Sequence, residues 1–133
     1  MPAKQRTRAD VELRLPADSA YVSVLRTTTA GLAARLDFPI DDIEDLRIAV
    51  GEASAMVLPE AAPDTDLTCS FYMTAGSLTV EVSVEAPFPV QPDYDSFAWQ
   101  VLSTLATRAE AETSDGRFSV KISMEPGEPG FGP

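Results

Sequence analysis

The sequence contains no histidine. That excludes Ser-His-Asp triads, Cys-His dyads, histidine metal sites and histidine pH switches. It has a single cysteine, Cys69, so no internal disulfide can form. Cys69 reads as a small buried strand residue rather than as a reactive thiol. With no disulfide framework to suggest an oxidising compartment, the expectation is a cytoplasmic protein. No apolar run approaches the roughly 18 residues that a membrane-spanning helix needs. The basic opening, residues 1–10, is followed by no apolar stretch and does not read as a secretory signal. Glycines are few and scattered, and none forms GxGxxG or GxxxxGK[ST].

Positive charge is also scarce: 10 basic residues stand against 21 acidic ones, for a net charge of −11. The imbalance is uneven. Up to Leu58, 9 acidic and 7 basic residues give −2; from Pro59 onward, 12 acidic and 3 basic give −9. Such a surface repels nucleic acid and anionic lipid and favours a basic partner. The 133 residues, 44% hydrophobic and 23% charged, suffice for one domain with its own core.

Val11 to Leu15 alternates apolar and polar residues and reads as a strand ended by Pro16. A helical period follows over about residues 20–36, with Tyr21, Val24, Leu25, Thr28, Leu32 and Leu36 on its stripe and Asp18 or Ser19 as N-cap. Gly31 inside it marks a close packing contact, since glycine there costs about 1 kcal/mol against alanine. A second helix, capped by Asp41 or Asp42, carries Ile43, Leu46, Val50, Ala53 and Val57 at spacings of 3 and 4, and Pro59 stops it. Two strands with a Gly76 turn form a hairpin over about 67–84. A third helix is expected from about Asp95 to Ala109, with Phe97, Val101, Leu102 and Leu105 inward and Trp99 off that line. After an Asp115-Gly116 turn, Phe118, Val120, Ile122 and Met124 alternate as a last strand.

The order β-α-α-β-β-α-β implies an α+β two-layer sandwich, a largely antiparallel four-stranded sheet with three helices on one face. The domain spans 11–124, between a disordered arm (1–10) and a Pro/Gly-rich disordered tail (125–133). The free sheet edges leave homodimerisation open. Composition leaves carboxylates for chemistry. Glu52, in the second helix, is either a solvated acid at the border of the apolar stripe or a general base, and both readings stand on the residues alone.

The stretch Phe38-Pro39-Ile40-Asp41-Asp42-Ile43-Glu44-Asp45-Leu46-Arg47-Ile48-Ala49-Val50-Gly51-Glu52-Ala53 resembles the RsbW-type anti-sigma factors, serine kinases of the GHKL ATPase superfamily. Leu13 to Ala17 and Tyr21 to Arg26 are similar to that family's opening strand and first helix. Ser96 to Leu102 resembles the third-helix start of its diverged actinobacterial branch. The resemblance implies a GHKL, or Bergerat-type, fold. It makes Glu52 the base position of a Glu-Ala-x-x-Asn-Ala motif whose magnesium-binding Asn is replaced by Met56. A thioether is a poor ligand for a hard cation. The family's Asp-x-Gly-x-Gly motif aligns with Glu85-Ala86-Pro87-Phe88-Pro89, so Pro87 and Pro89 stand at the glycines. Its phosphate-binding glycines align with Ser96 and Ala98. The resemblance also makes Arg26 the anchor shared by sigma factor and STAS-domain antagonist, with Val22 one turn earlier.

The expectation is therefore an anti-sigma factor that is not an enzyme and has no cofactor or metal. It sequesters an alternative, stress- or development-type sigma-70-family factor and is released by a STAS-domain anti-anti-sigma factor. The alternatives are an active ATP- and Mg-dependent kinase of that antagonist, and a non-catalytic STAS-binding module.

Overall fold

The computed structural model describes residues 8–88 and 90–126. Strand β1 (Val11–Pro16) ends at its proline, and Asp18 then accepts a hydrogen bond from Ala20 N at 2.9 Å. This caps a short 3-10 turn, Ser19–Tyr21, that leads into helix α1 (Val22–Arg35). Helix α1 buries Val22, Leu25, Thr29 and Ala33. The expected stripe holds at Leu25, Leu32 and Leu36, which pack in or against the core, and fails at Tyr21 and Val24, which are 41% and 43% exposed. The small Thr29 and Ala33 face inward, and the Thr29 hydroxyl is satisfied by the Leu25 carbonyl at 2.8 Å.

Helix α2 (Ile40–Val57) follows the expected stripe closely, with Leu46, Val50, Ala53 and Val57 buried. Its N-cap is Pro39, not Asp41 or Asp42, and its carbonyl accepts from both Asp42 N and Ile43 N. The two aspartates instead occupy the first turn, where the helix dipole favours them. Proline at position 59 converts the helix end into a 3-10 turn, Leu58–Glu60.

Strands β2 (Asp66–Thr74) and β3 (Ser77–Glu85) form the expected hairpin, with Gly76 at φ 77° in its turn. Helix α3 runs over Phe97–Leu105, shorter than expected. Strand β4 (Arg108–Ser114) follows, then the Asp115-Gly116 turn and β5 (Arg117–Met124). Both turn residues have positive φ, as a two-residue hairpin of this hand requires.

The sheet has five strands rather than four, in the order β1-β2-β3-β5-β4, with every neighbouring pair antiparallel. The added strand, β4, lay hidden because its inward residues, Ala109, Ala111 and Thr113, are too small to make an apolar alternation conspicuous. Pairing with β5 overrides the helical preference of its alanines and glutamates. Phe97 is 79% exposed, contrary to the inward expectation. It precedes Leu102 by five residues, which places it about 140° round the helix from that core residue. Trp99 is half-buried and meets Tyr94 edge-on, with ring centroids 4.9 Å apart.

All three helices pack on one face of the sheet. Helix α2 is central, against β3 and β5, with α1 and α3 on either side and α3 also touching β4. The core joins α2 to Leu67, Cys69 and Phe71 of β2, Leu78 to Val84 of β3, and Phe118 to Met124 of β5. Strand residues of opposite parity, such as Glu81, Ser83, Ser119 and Lys121, line the open face. Residues 1–7 and 127–133 and Pro89 lie outside the described residues, and with them most of the expected arm and tail.

Candidate functional site

Two regions of the helical layer receive the residues singled out by sequence. The first is the α1–α2 seam. Arg26 is half-buried on α1, and its guanidinium lies over Gly51 of α2. A Cβ at Gly51 would stand 2.7 Å from Arg26 Nη2 and 2.9 Å from Nε. Glycine therefore leaves the space in which the arginine head rests. The head of the half-buried Arg26 thus reaches across the seam from α1 to α2. Glu52 is the next residue on α2 and is half-buried. Val22 is only 7% exposed, so it packs beneath the surface and is not available as a contact residue.

The close helix approach is thus at Gly51 and not at Gly31, around which nothing lies within 4 Å of an added Cβ. Sequence reasoning missed Gly51. The available signal was a glycine in the middle of the second helix, directly before Glu52.

The second region is a pocket of about 210 Å³ between the end of α2, the 90–96 loop and the start of α3. It brings together Met56, Ser96 and Ala98, with Glu60, Asp93 and Phe118 also on its wall. Thr113 Oγ1 donates to the Val90 carbonyl at 2.7 Å and ties the loop to β4. Ser96 Oγ accepts from Trp99 N at 3.1 Å, so its hydroxyl caps α3. Glu52 and Pro87 do not line this pocket. Neither does Glu85, whose parity on β3 puts it on the open face; it lines a separate polar pocket there with Arg14, Asp66 and Arg117.

Cys69 is fully buried, and burial pushes its thiol up from 9.0 to about 12. It is a core residue rather than a nucleophile. No group of three or more Cys, Asp or Glu side chains suited to a metal ion occurs among the described residues. No helix there is long and apolar enough to cross a membrane.

No family model matches the chain. Serine-protein kinase RsbW of Bacillus thuringiensis (strain Al Hakam), of Bacillus cereus (strain B4264) and of Bacillus anthracis (strain CDC 684 / NRRL 3495) are each 43% identical to it over 51 residues. That match covers 38% of this chain and spans 32% of the length of those relatives. Among solved structures, the RsbU and RsbW domains of Rv1364c from Mycobacterium tuberculosis superpose with a TM-score of 0.65 at 14% identity. The superposition covers 86% of this chain and 31% of that one.

A five-stranded antiparallel sheet carrying three helices on one face thus defines an α+β fold of the GHKL class. Within that class the fold is of the RsbW type, on both the local sequence match and the superposition. The relatives also correct one expectation. They are named serine-protein kinases, which overturns the reading of this chain as no enzyme.

The magnesium–nucleotide that such a fold implies does not fit the residues present in the family's arrangement. Met56 offers sulfur where a hard cation takes oxygen, and the Trp99 N–H at the start of α3 is already taken up by the Ser96 hydroxyl. The volume also falls below the roughly 300–1,000 Å³ of ordinary ligand pockets.

Proposed function

We propose that the chain is an RsbW-type anti-sigma factor acting in the cytoplasm. It holds an alternative sigma-70-family factor by direct binding and yields it to a competing STAS-domain anti-anti-sigma factor. The observation that carries this reading is the half-buried Arg26 of α1, whose guanidinium is seated on Gly51 of α2. A planar fork held in one place suits bidentate bonding to a partner carboxylate, and one anchor used by two partners makes their binding mutually exclusive. The net charge of −11 supports encounter with the basic surfaces of a sigma factor. Val22 contributes by packing beneath α1 rather than by contact.

The test is an affinity capture from the host, with the bound proteins identified and Arg26→Ala as the comparison. Recovery of a sigma-70-class factor, reduced by the substitution and displaced by a STAS protein, supports the reading. Recovery of STAS proteins alone overturns it.

A second reading is favoured by the name of the relatives, that of an ATP-dependent serine-protein kinase acting on the STAS antagonist. It requires nucleotide binding, which at about 100 times Kd adds about 2.7 kcal/mol of stability. It also requires transfer of labelled phosphate to a serine of the antagonist.

A further inference from the structure

Helix α3 carries no charged residue. Its Phe97, Val101 and Leu105 recur every four residues, so they form one stripe about 12 Å long on the helix surface. Leu105 packs partly on the core, whereas Phe97 is almost wholly exposed. Val101 is half-buried without packing on the core. With Gln100 and Thr104 these three residues line an open hollow of about 340 Å³. One exposed phenylalanine is ordinary, but an apolar stripe with a hollow along it is a surface shaped for a partner.

Charge decides which partner. Asp93 and Asp95 directly precede the helix and are exposed. No lysine or arginine occurs between Arg47 and Arg108, and the parity of β4 puts Arg108 on the open face of the sheet. The start of the stripe is therefore acidic. A second copy of the chain, at a net charge of −11 on each molecule, is repelled, and so are anionic lipid and nucleic acid. A basic segment is attracted. Shape narrows the choice further, because a stripe at helical spacing accepts the apolar stripe of a second helix.

We propose that the outer face of α3 is a docking site for an amphipathic helix of another protein. That helix carries apolar residues at spacings of 3 and 4, with lysine or arginine at the end that meets Asp93 and Asp95. The site lies across α2 from Arg26, and the inference does not rest on the function proposed above.

The experiment is a fluorescence titration of the full chain, read at Trp99, the only tryptophan and a residue of α3. The probe is a synthetic peptide of about 14 residues built from leucine and lysine, with leucines at spacings of 3 and 4. The parent is expected to bind it, and to bind a scrambled peptide of the same composition about tenfold more weakly or worse. The original pattern with glutamate in place of lysine is expected not to bind. Phe97→Ser and Val101→Ser are each expected to raise the Kd about tenfold or more, since a few apolar anchors carry most of such a contact. Asp95→Lys is expected to raise it at low salt and to lose that effect at high salt. Val24→Ser removes an exposed apolar residue of α1, and Glu112→Lys reverses an exposed acid of the open face; each is expected to change the Kd by less than about twofold. Circular dichroism checks that every variant is folded. No binding by the parent, equal binding of the scrambled or the acidic peptide, or a Kd indifferent to Phe97 and Val101 would overturn the proposal. So would self-association, or binding to anionic vesicles, that Phe97→Ser abolishes.

Discussion

The head of Arg26 occupies the space that any side chain at residue 51 would need. A Cβ on Gly51 would come within 2.7 Å of Nη2 and 3.2 Å of Cζ. Two helices are thereby coupled at one point of their seam, and the coupling can be broken from either side.

Gly51→Ala is expected to change stability little, within about 1 kcal/mol. The clash falls on the far end of a flexible side chain, and alanine is the better helix former. The same substitution re-aims Arg26 and, on the function proposed above, is expected to weaken binding of a sigma factor about as much as Arg26→Ala does. The two together are expected to be no worse than either alone, since they act on one contact. Urea denaturation and a binding titration on the three variants check both halves.

Leu46→Ala is expected to destabilise the domain by about 2–5 kcal/mol. Leu46 is fully buried at the centre of the α2 stripe. By contrast, Ile48→Ala, two residues on and 47% exposed, is expected to cost under about 1 kcal/mol. Chemical denaturation midpoints give the comparison.

The Cys69 thiol ties stability to alkaline pH. Its value rises from 9.0 to about 12 on folding, through burial. Between those values the unfolded chain loses the proton and the folded chain keeps it, so stability falls as pH climbs from about 9 towards 12. Cys69→Ala is expected to remove that part of the slope, measured as the difference between the two proteins. A thiol reagent at pH 8 is expected to label the parent only after unfolding.

Met56→Asn puts an amide oxygen on the pocket wall beside Ser96 and Asp93. Thermal shift with ATP and Mg²⁺ is expected to be larger for this variant than for the parent, because oxygen replaces sulfur as the donor offered to a hard cation. Equal shifts would show that Met56 is not what limits nucleotide binding.

Helix α2 was legible in the sequence because large aliphatic residues recur at spacings of 3 and 4 over 18 residues. The strands with bulky inward residues, Leu78 to Val84 and Phe118 to Met124, were equally plain. Strand β4 was not, because Ala109 and Ala111 carry almost no hydrophobic contrast and its identity comes from its pairing with β5. The buried face of α1 was misplaced because Tyr21 and Val24 outshine the smaller Thr29 and Ala33 in an apolar pattern. Met56, Ser96 and Ala98 were named from sequence and do meet in one pocket. The seat of Arg26 was not foreseen, since which glycine receives a neighbouring side chain is decided by helix packing rather than by local spacing.

The strand order carries a consequence for how the chain becomes folded. Strand β5 follows every other element in sequence, yet it sits inside the sheet, between β3 and β4. A growing chain that has reached Leu105 therefore has α2 complete but only β1, β2 and β3 to lay it on. The part of α2 that packs on β5 stays uncovered until Phe118, Val120 and Ile122 arrive, and β4 has no partner until then. Closure comes in one late step with long-range contacts, a pattern that slows folding and exposes incomplete chains to aggregation and proteolysis.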